Sequence, residues 1–144
     1  MKKLYGLLLF VAVFTIAACG GGSVDYPVEY FNATVTGSQV DGDTVTLTID
    51  GEGFYPMTAE VKFVNGSMTH YDIIEHRESA QWGGVLIGNG ELQTAIVNNA
   101  STLGGVNIGD FTEIDATASA TATAEAMMDI ARAAVEHFNE FYKD

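Results

Sequence analysis

Cysteine and basic residues are scarce in this 144-residue sequence. Its single cysteine, Cys19, excludes an internal disulfide bond and a cysteine-rich metal site. Six lysines and arginines stand against 19 aspartates and glutamates, which gives a formal net charge of −13. A body this acidic repels nucleic acid and anionic membrane surfaces, so we expect no nucleic-acid partner. The acidity is typical of a domain kept in solution outside the cytoplasm; a docking face for a basic redox partner is the alternative.

The motifs of common nucleotide- and metal-dependent enzymes are also missing. There is no paired-histidine helix motif, no P-loop and no glycine pattern for dinucleotide binding. The histidines are scattered, and His137 is predicted to be a solvated or boundary residue. Glu75, His76 and Glu78 are close enough in sequence for acid–base work or metal ligation. No set of nucleophile, base and orienting residue accompanies them, so we do not expect a conventional hydrolytic site.

The N-terminus contains the one long apolar run, from Leu4 to Ile16, which is too short to span a bilayer comfortably. Lys2 and Lys3 precede it, and it leads into Ile-Ala-Ala-Cys, which resembles a bacterial lipobox. We therefore predict that residues 1–18 are a lipoprotein signal peptide and that Cys19 is lipidated after cleavage. The alternative is an N-terminal anchor that is not cleaved and in which the thiol of Cys19 has no function.

The remaining chain is predicted to be a tether followed by one domain. Residues 19–28 include Gly20–Ser23, whose composition is that of a flexible linker. Residues 29–144 have the length of a single domain and contain no internal repeat. A lipid on Cys19 would hold this domain at the extracytoplasmic face of a bacterial membrane, in the periplasm or at the cell surface.

Strands are predicted for the first half of the domain. Thr44–Ile49 alternates hydroxyl and apolar residues, the period of a half-buried strand, and Asp50-Gly51 is predicted to end it. Asn65-Gly66 favours a type I′ turn, which makes Met57–Val64 and Ser67–Ile74 an antiparallel hairpin. An earlier strand is predicted at Phe31–Thr36.

Helices are predicted for the second half. Glu91–Asn98 forms a short helix that buries Leu92, Ala95 and Ile96, whereas residues 75–90 show no periodicity. Residues 106–114 are predicted to contain a loop and a short strand. Ala122–Tyr142 has apolar residues at helical spacing, from Met127 to Tyr142, and is the strongest helix. The expected fold is α+β, an antiparallel β-sheet meander packed against a long C-terminal helix and a shorter helix.

Small residues and hydroxyls fill the stretch from Asp115 to Thr123, just where the last helix begins. Backbone N–H groups and alcohol side chains at a helix N-terminus favour a phosphate. The stretch resembles the flavin-attachment sequence of the FMN-binding domain family, in which a threonine is esterified to FMN. That sequence is an aspartate, two variable residues, serine or threonine, glycine, alanine and the acceptor threonine, often with another threonine two positions on.

Four positions of this chain match that sequence: Asp115, Ala120, the acceptor Thr121 and the trailing Thr123. Two positions depart from it, since Ala118 stands where serine or threonine is usual and Ser119 where glycine is usual. The flanks also resemble the family. A hairpin is followed by His76–Ser79, similar to the family's His-x-Glu-Thr segment, and then by the glycine loop Trp82–Gly84.

The resemblance implies FMN joined by a phosphoester to Thr121, with Ser119 and Thr123 as further hydroxyl donors to the phosphate. Asp115 would belong to the sequence read by a flavin-attaching transferase. The isoalloxazine needs a flat apolar slot with polar edge contacts. Its expected lining is Trp82, Val85, Leu86 and the loop of residues 75–79, which includes His76, Glu78 and Ser79; core packing and an ordinary loop are the alternative for these residues.

The family includes the C subunit of the sodium-translocating quinone reductase, the G subunit of the Rnf complex and extracytoplasmic lipoproteins. The expected function is that of an electron carrier, with FMN passing electrons between the membrane and extracytoplasmic redox partners. Thr121 would supply attachment and not catalysis. Two other functions stay open: a lipoprotein that binds flavin or another small ligand reversibly, and a structural or interaction module that keeps the fold without the flavin.

Overall fold

Five antiparallel strands form one sheet in the computed structural model, which describes residues 24–100 and 120–143. The strands are β1 (Val28–Tyr30), β2 (Ala33–Asp41), β3 (Thr44–Glu52), β4 (Pro56–Val64) and β5 (Ser67–His76). Each strand pairs with the next one in the chain, so the sheet order is the sequence order. The predicted meander is confirmed.

The hairpin between β4 and β5 turns at Asn65-Gly66, as predicted. Both residues have positive φ, 50° and 81°, as a type I′ turn requires. The prediction that Asp50-Gly51 ends its strand is wrong, because β3 continues to Glu52 and Gly51 pairs with Met57. A Cβ on Gly51 would lie 2.7 Å from Cδ1 of Ile130, so this glycine lets a helix approach the strand and makes no turn.

The early strand predicted at Phe31–Thr36 corresponds to the start of β2, which begins at Ala33, and β1 before it was not predicted. Phe31 has a φ of 54°, and with Asn32 it turns the chain between β1 and β2. A bulge follows in β2, where Thr36 is unpaired between Val35 and Gly37. The bulge interrupts the alternation of residues along β2, so the sequence pattern does not reveal the full length of this strand.

Three helices complete the described fold: α1 (Gly83–Asn89), α2 (Glu91–Asn98) and α3 (Thr121–Phe141). The predictions for α2 and α3 are confirmed, although Ala95 is only half-buried. Helix α1 was not predicted, because seven residues with three glycines present no measurable period. Gly90, at φ 72°, ends α1 and also precedes α2. The predicted loop and strand at residues 106–114 lie outside the described residues.

The core lies between one face of the sheet and the helices. Alternate residues of the central strands point into it, among them Leu47, Ile49 and Val61, and Met127 and Ile130 of α3 meet them. The opposite face of the sheet carries mostly threonines and charged residues that are exposed or half-exposed. This one-sided burial gives the strands their hydroxyl–apolar alternation and makes the fold α+β.

A cluster of hydroxyl and imidazole groups closes the end of the core near the C-terminus of α3. His137 has Nε2 3.1 Å from the Tyr26 hydroxyl and Nδ1 3.2 Å from the Tyr30 hydroxyl, and its side chain is fully buried. The prediction of a solvated or boundary histidine is wrong, because these two tyrosines from the N-terminal segment cover the ring. The Tyr26 hydroxyl also donates to Ser38 Oγ at 2.7 Å, and the Tyr30 hydroxyl donates to Glu140.

The N-terminal boundary of the domain follows from the same cluster. Tyr26 is packed against the core, and Val28 begins β1. The described fold therefore includes residues that precede residue 29, where the sequence places the start of the domain. Cys19 and the predicted signal peptide lie outside the described residues. Among the residues described, none of the helices has the length and apolarity needed to cross a bilayer.

We expect the stability of the domain to fall between neutral and mildly acidic pH because of His137. Burial lowers its pKa from the ordinary 6.5 to about 4, with the carboxylate of Glu140 opposing the shift. Between these two pKa values the unfolded chain binds a proton at His137 that the folded chain does not bind. Unfolding is therefore favoured as the pH falls from about 6.5 to about 4. The loss should be about 2 kcal/mol, given about 1.4 kcal/mol for each pKa unit and partial compensation by the surrounding hydroxyls.

Urea unfolding of the wild type and of His137→Gln, near pH 7 and near pH 4.5, measures this effect. Glutamine keeps polar contacts with the tyrosines but does not titrate, so the variant should lose less stability between the two conditions. Equal losses in both proteins would assign the acid sensitivity to the carboxylates instead.

Candidate functional site

A β-bulge near the end of β5 changes which side chains face the core just before the site. Ile73 pairs with Ala59 and Glu75 pairs with Thr58, so Ile74 is the extra residue. Without the bulge, strict alternation would turn Glu75 toward the core side of the sheet. With it, half-buried His76 takes that side and Glu75 stays exposed, and the chain leaves β5 just before Glu78.

Glu78 is the polar centre of the site, with only 8% of its surface exposed. Its Oε1 accepts a hydrogen bond from the backbone N–H of Tyr55 at 3.1 Å. Its Oε2 accepts one from the hydroxyl of Thr123 at 2.9 Å. One carboxylate thus joins three segments: the loop between β3 and β4, the loop after β5, and the first turn of α3.

Glycines let these segments meet. A Cβ on Gly53 would lie 2.7 Å from Glu78 Oε1, and a Cβ on Gly83 would lie 2.7 Å from Glu78 Oε2 and would overlap the hydroxyl of Thr123. Gly84 donates its N–H to the carbonyl oxygen of Ser79 at 2.8 Å, and a Cβ there would lie 2.7 Å from that same oxygen. The glycine loop predicted to lie near the site therefore packs directly on it, since no other residue leaves enough room.

The start of α3 presents two threonines in different ways. Ala120 is the buried N-cap residue, and Thr121, the first residue of the helix, is exposed. Thr123 is fully buried, and its hydroxyl is engaged by Glu78. In this arrangement the hydroxyl of Thr123, expected to donate to a phosphate, donates to a carboxylate of the chain itself. Asp115, Ala118 and Ser119 lie outside the described residues.

The predicted ring lining is divided between surface and core. Trp82 is 52% exposed and Val85 is also exposed, so both are accessible to a ligand. Leu86 is fully buried in the core cluster, which is the core-packing alternative stated for it. Ser79 is exposed, and His76 is half-buried, with an Nδ1 that has no hydrogen-bond partner among the described residues.

Two exposed aromatic residues were missed from the sequence. Phe54 is 72% exposed and Tyr55 51%, and they occupy the loop whose backbone is held by Glu78. Trp82 directly precedes Gly83, which packs against the other oxygen of that carboxylate. Large apolar side chains exposed in two loops that converge on one point are characteristic of a binding surface. The signal available in the sequence was the Gly-Phe-Tyr run after a strand, which resembles an ordinary loop without its partner segment.

The chemistry of these residues fits a phosphorylated aromatic group. The first N–H groups of α3 have no acceptor within the helix, Ala120 has no polar side chain to cap them, and the helix dipole favours an anion. Exposed aromatic rings suit a flat conjugated system. No grouping of His, Cys, Asp and Glu suited to a metal ion occurs in the part of the chain that the structure describes.

The fold and the site define a cofactor-binding α+β domain with an exposed hydroxyl at a helix start and exposed aromatic residues in nearby loops. The family model of the FMN-binding domain matches residues 53–136, more than half of the chain. The chain belongs to the FMN-binding domain family, and FMN is its cofactor. No match to it was found among curated proteins or among solved structures.

Proposed function

We propose that this protein is an extracytoplasmic, membrane-tethered flavoprotein that carries FMN as a phosphoester on Thr121 and transfers electrons. The observation that carries the proposal is the exposed hydroxyl of Thr121 at the first residue of α3, within the family match. A nucleophile used by a transferase has to be accessible, and Thr121 is the accessible threonine of the pair in this turn.

Attachment is a phosphoryl-transfer reaction without any redox change. A bond forms between Oγ of Thr121 and the phosphorus of FMN, and the hydroxyl proton is lost. The bond that breaks has to be a phosphoanhydride, so the donor is a flavin dinucleotide and the leaving group a nucleoside monophosphate. The chain has no P-loop or metal cluster of its own for this step among its described residues, so a separate flavin-attaching transferase performs it.

The residues of this chain hold the cofactor after attachment. The N–H groups at the start of α3 stabilise the negative charge of the phosphodiester. Phe54, Tyr55 and Trp82 offer apolar surface to the ring system. When bound, FMN supplies one- and two-electron transfer.

Covalent attachment suits the location inferred from the lipobox. A protein tethered outside the cytoplasmic membrane through Cys19 has no ready supply of fresh FMN, and a phosphoester prevents loss of the cofactor. The acidic body favours redox partners with a basic docking face, because opposite charges steer association.

A reversible flavin-binding lipoprotein is the second candidate, and the motif itself favours it. Ala118 and Ser119 depart from the attachment sequence at two of its positions. Serine in place of glycine narrows the backbone freedom of the turn and adds a side chain where a transferase approaches. Such a chain would keep the aromatic surface and the helix start but release FMN on unfolding.

One experiment separates the two candidates. We expect the full chain, exported from cells that also express a flavin-attaching transferase, to give a flavin-fluorescent band after denaturing electrophoresis. Its mass should exceed that of the unmodified protein by FMN less one water. A yellow native protein whose flavin separates on denaturation would favour reversible binding, and absence of flavin in both states would leave a structural or interaction module.

A further inference from the structure

We propose that Glu78 and Thr123 are positioning residues that fix the orientation of Thr121 for flavin attachment. This inference rests on the proposed function. The pair does not contain the acceptor: Thr123 is fully buried, and Glu78 is nearly so. Within residues 24–100 and 120–143, no cation pairs with Glu78, and both of its oxygens accept hydrogen bonds from the chain itself.

Helix geometry links the buried threonine to the exposed one. Successive residues of an α-helix are rotated by about 100°, so the side chains of Thr121 and Thr123 point about 160° apart around the axis. Any rotation of the first turn that moved Thr123 out of its contact would turn Thr121 toward the protein. The hydrogen bond from Thr123 to Glu78 therefore holds Thr121 on the solvent side.

Because Glu78 is buried, its hydrogen bond with Thr123 favours one arrangement of the first turn of α3. A buried carboxylate without hydrogen-bond donors is unfavourable, so Glu78 retains both of its donors in the folded state. Gly53 and Gly83 pack against the same carboxylate, which leaves it little space to choose another rotamer. The N-terminal turn of a helix would otherwise fray, since it lacks the intrahelical bonds of later turns.

The same contact connects the acceptor to the aromatic surface. Glu78 binds the backbone of Tyr55 with one oxygen and the first turn of α3 with the other. Thr121 and the exposed residues Phe54 and Tyr55 are therefore held in a fixed relation through one side chain. A transferase that delivers FMN meets the acceptor hydroxyl and the ring-binding loop as one preorganised surface.

The test measures attachment kinetics on purified full-length chains with a flavin-attaching transferase and a flavin dinucleotide, at varied concentrations of the chain. Thr123→Val removes the hydroxyl with little change of shape, and Thr123→Ser restores it. We expect Thr123→Val to lower the kcat of attachment by about 10- to 100-fold, since small misplacements of a reacting group have effects of this size. Thr123→Ser should return to near the wild-type kcat.

Two controls separate positioning from loss of folding. Thr94→Val removes a helical threonine hydroxyl that donates to the carbonyl oxygen of Gly90, away from the site, and should leave kcat unchanged. A variant that is partly unfolded offers less competent acceptor, which raises the apparent KM and leaves kcat intact at saturation. A wild-type kcat in Thr123→Val, or a loss confined to KM, would overturn the inference.

Glu78→Gln tests whether the carboxylate acts through its hydrogen bonds. The amide oxygen can accept from Tyr55 and the amide nitrogen can donate to the hydroxyl of Thr123, so we expect attachment within a few-fold of wild type. A kcat as low as that of Thr123→Val would mean that the charge of Glu78 takes part directly, and the positioning role would be wrong. If the wild type itself accepts no FMN, the proposed function is wrong. If the wild type accepts FMN and Thr123→Val has the same kcat of attachment, only this inference is wrong.

Discussion

Replacing Thr121 with valine is expected to abolish covalent attachment of FMN. Valine has nearly the shape of threonine but no hydroxyl oxygen to bond to phosphorus. Thr121 is exposed and its side chain makes no hydrogen bond in the described part of the chain, so the free energy of unfolding should change by less than about 0.5 kcal/mol. The loss of flavin would therefore come from chemistry and not from unfolding.

In-gel flavin fluorescence and intact mass of the exported, denatured protein measure this loss. Thr121→Ser is the matched control, because serine keeps a hydroxyl at the same position and should still accept FMN, more slowly if the methyl group of threonine helps orient the oxygen. A fluorescent band that persists in Thr121→Val would place the acceptor at another hydroxyl, and Ser119 would be the next to replace.

Replacing Gly83 with alanine is expected to destabilise the domain by about 3 kcal/mol, because the new methyl group has no space and separates a buried hydrogen-bonded pair. Its Cβ would lie 2.7 Å from Oε2 and 2.9 Å from Cβ of Glu78, and it would overlap the hydroxyl of Thr123. The carboxylate cannot retreat easily, since Gly53 packs against its other oxygen. Flavin attachment should fall as well, because the first turn of α3 loses its contact.

Gly88→Ala provides a control within the same short helix. A Cβ on Gly88 meets nothing within 4 Å among the described residues, and alanine favours helix over glycine, so stability should rise by about 0.5–1 kcal/mol. Thermal and urea unfolding of both variants give the comparison. If both substitutions changed the free energy of unfolding in the same direction, the inferred packing of Gly83 against the Glu78–Thr123 pair would be wrong.

Much of the fold was predictable because its strands carry a strong local pattern. Hydroxyl and apolar residues alternate through Thr44–Ile49, and Asn65-Gly66 favours one turn type, so β3 to β5 follow from local rules. The apolar stripe of Ala122–Tyr142 predicted α3 to within one residue at each end. Helix α1 and the split between β1 and β2 were missed, because short elements with glycine or positive φ give no periodic signal.

The candidate site was only partly predictable. The positions of Thr121 and of the segment His76–Ser79 could be found because they lie in short motifs. The contact between Glu78 and Thr123 joins residues 45 apart in sequence, and no local pattern specifies it. Phe54 and Tyr55 gain their significance only when the loop is seen beside Trp82. The burial of His137 likewise depends on two tyrosines more than 100 residues away in the chain.

The sequence by itself determined the strand meander, the long C-terminal helix, the lipobox-like N-terminus and the threonine-rich helix start, since each depends on residues close together in the chain. Only the tertiary structure decided which threonine faces solvent and which is buried. The physical reason is the buried carboxylate of Glu78, which lies 45 residues away in the chain and accepts a hydrogen bond from the hydroxyl of Thr123. Helix geometry then leaves Thr121 exposed.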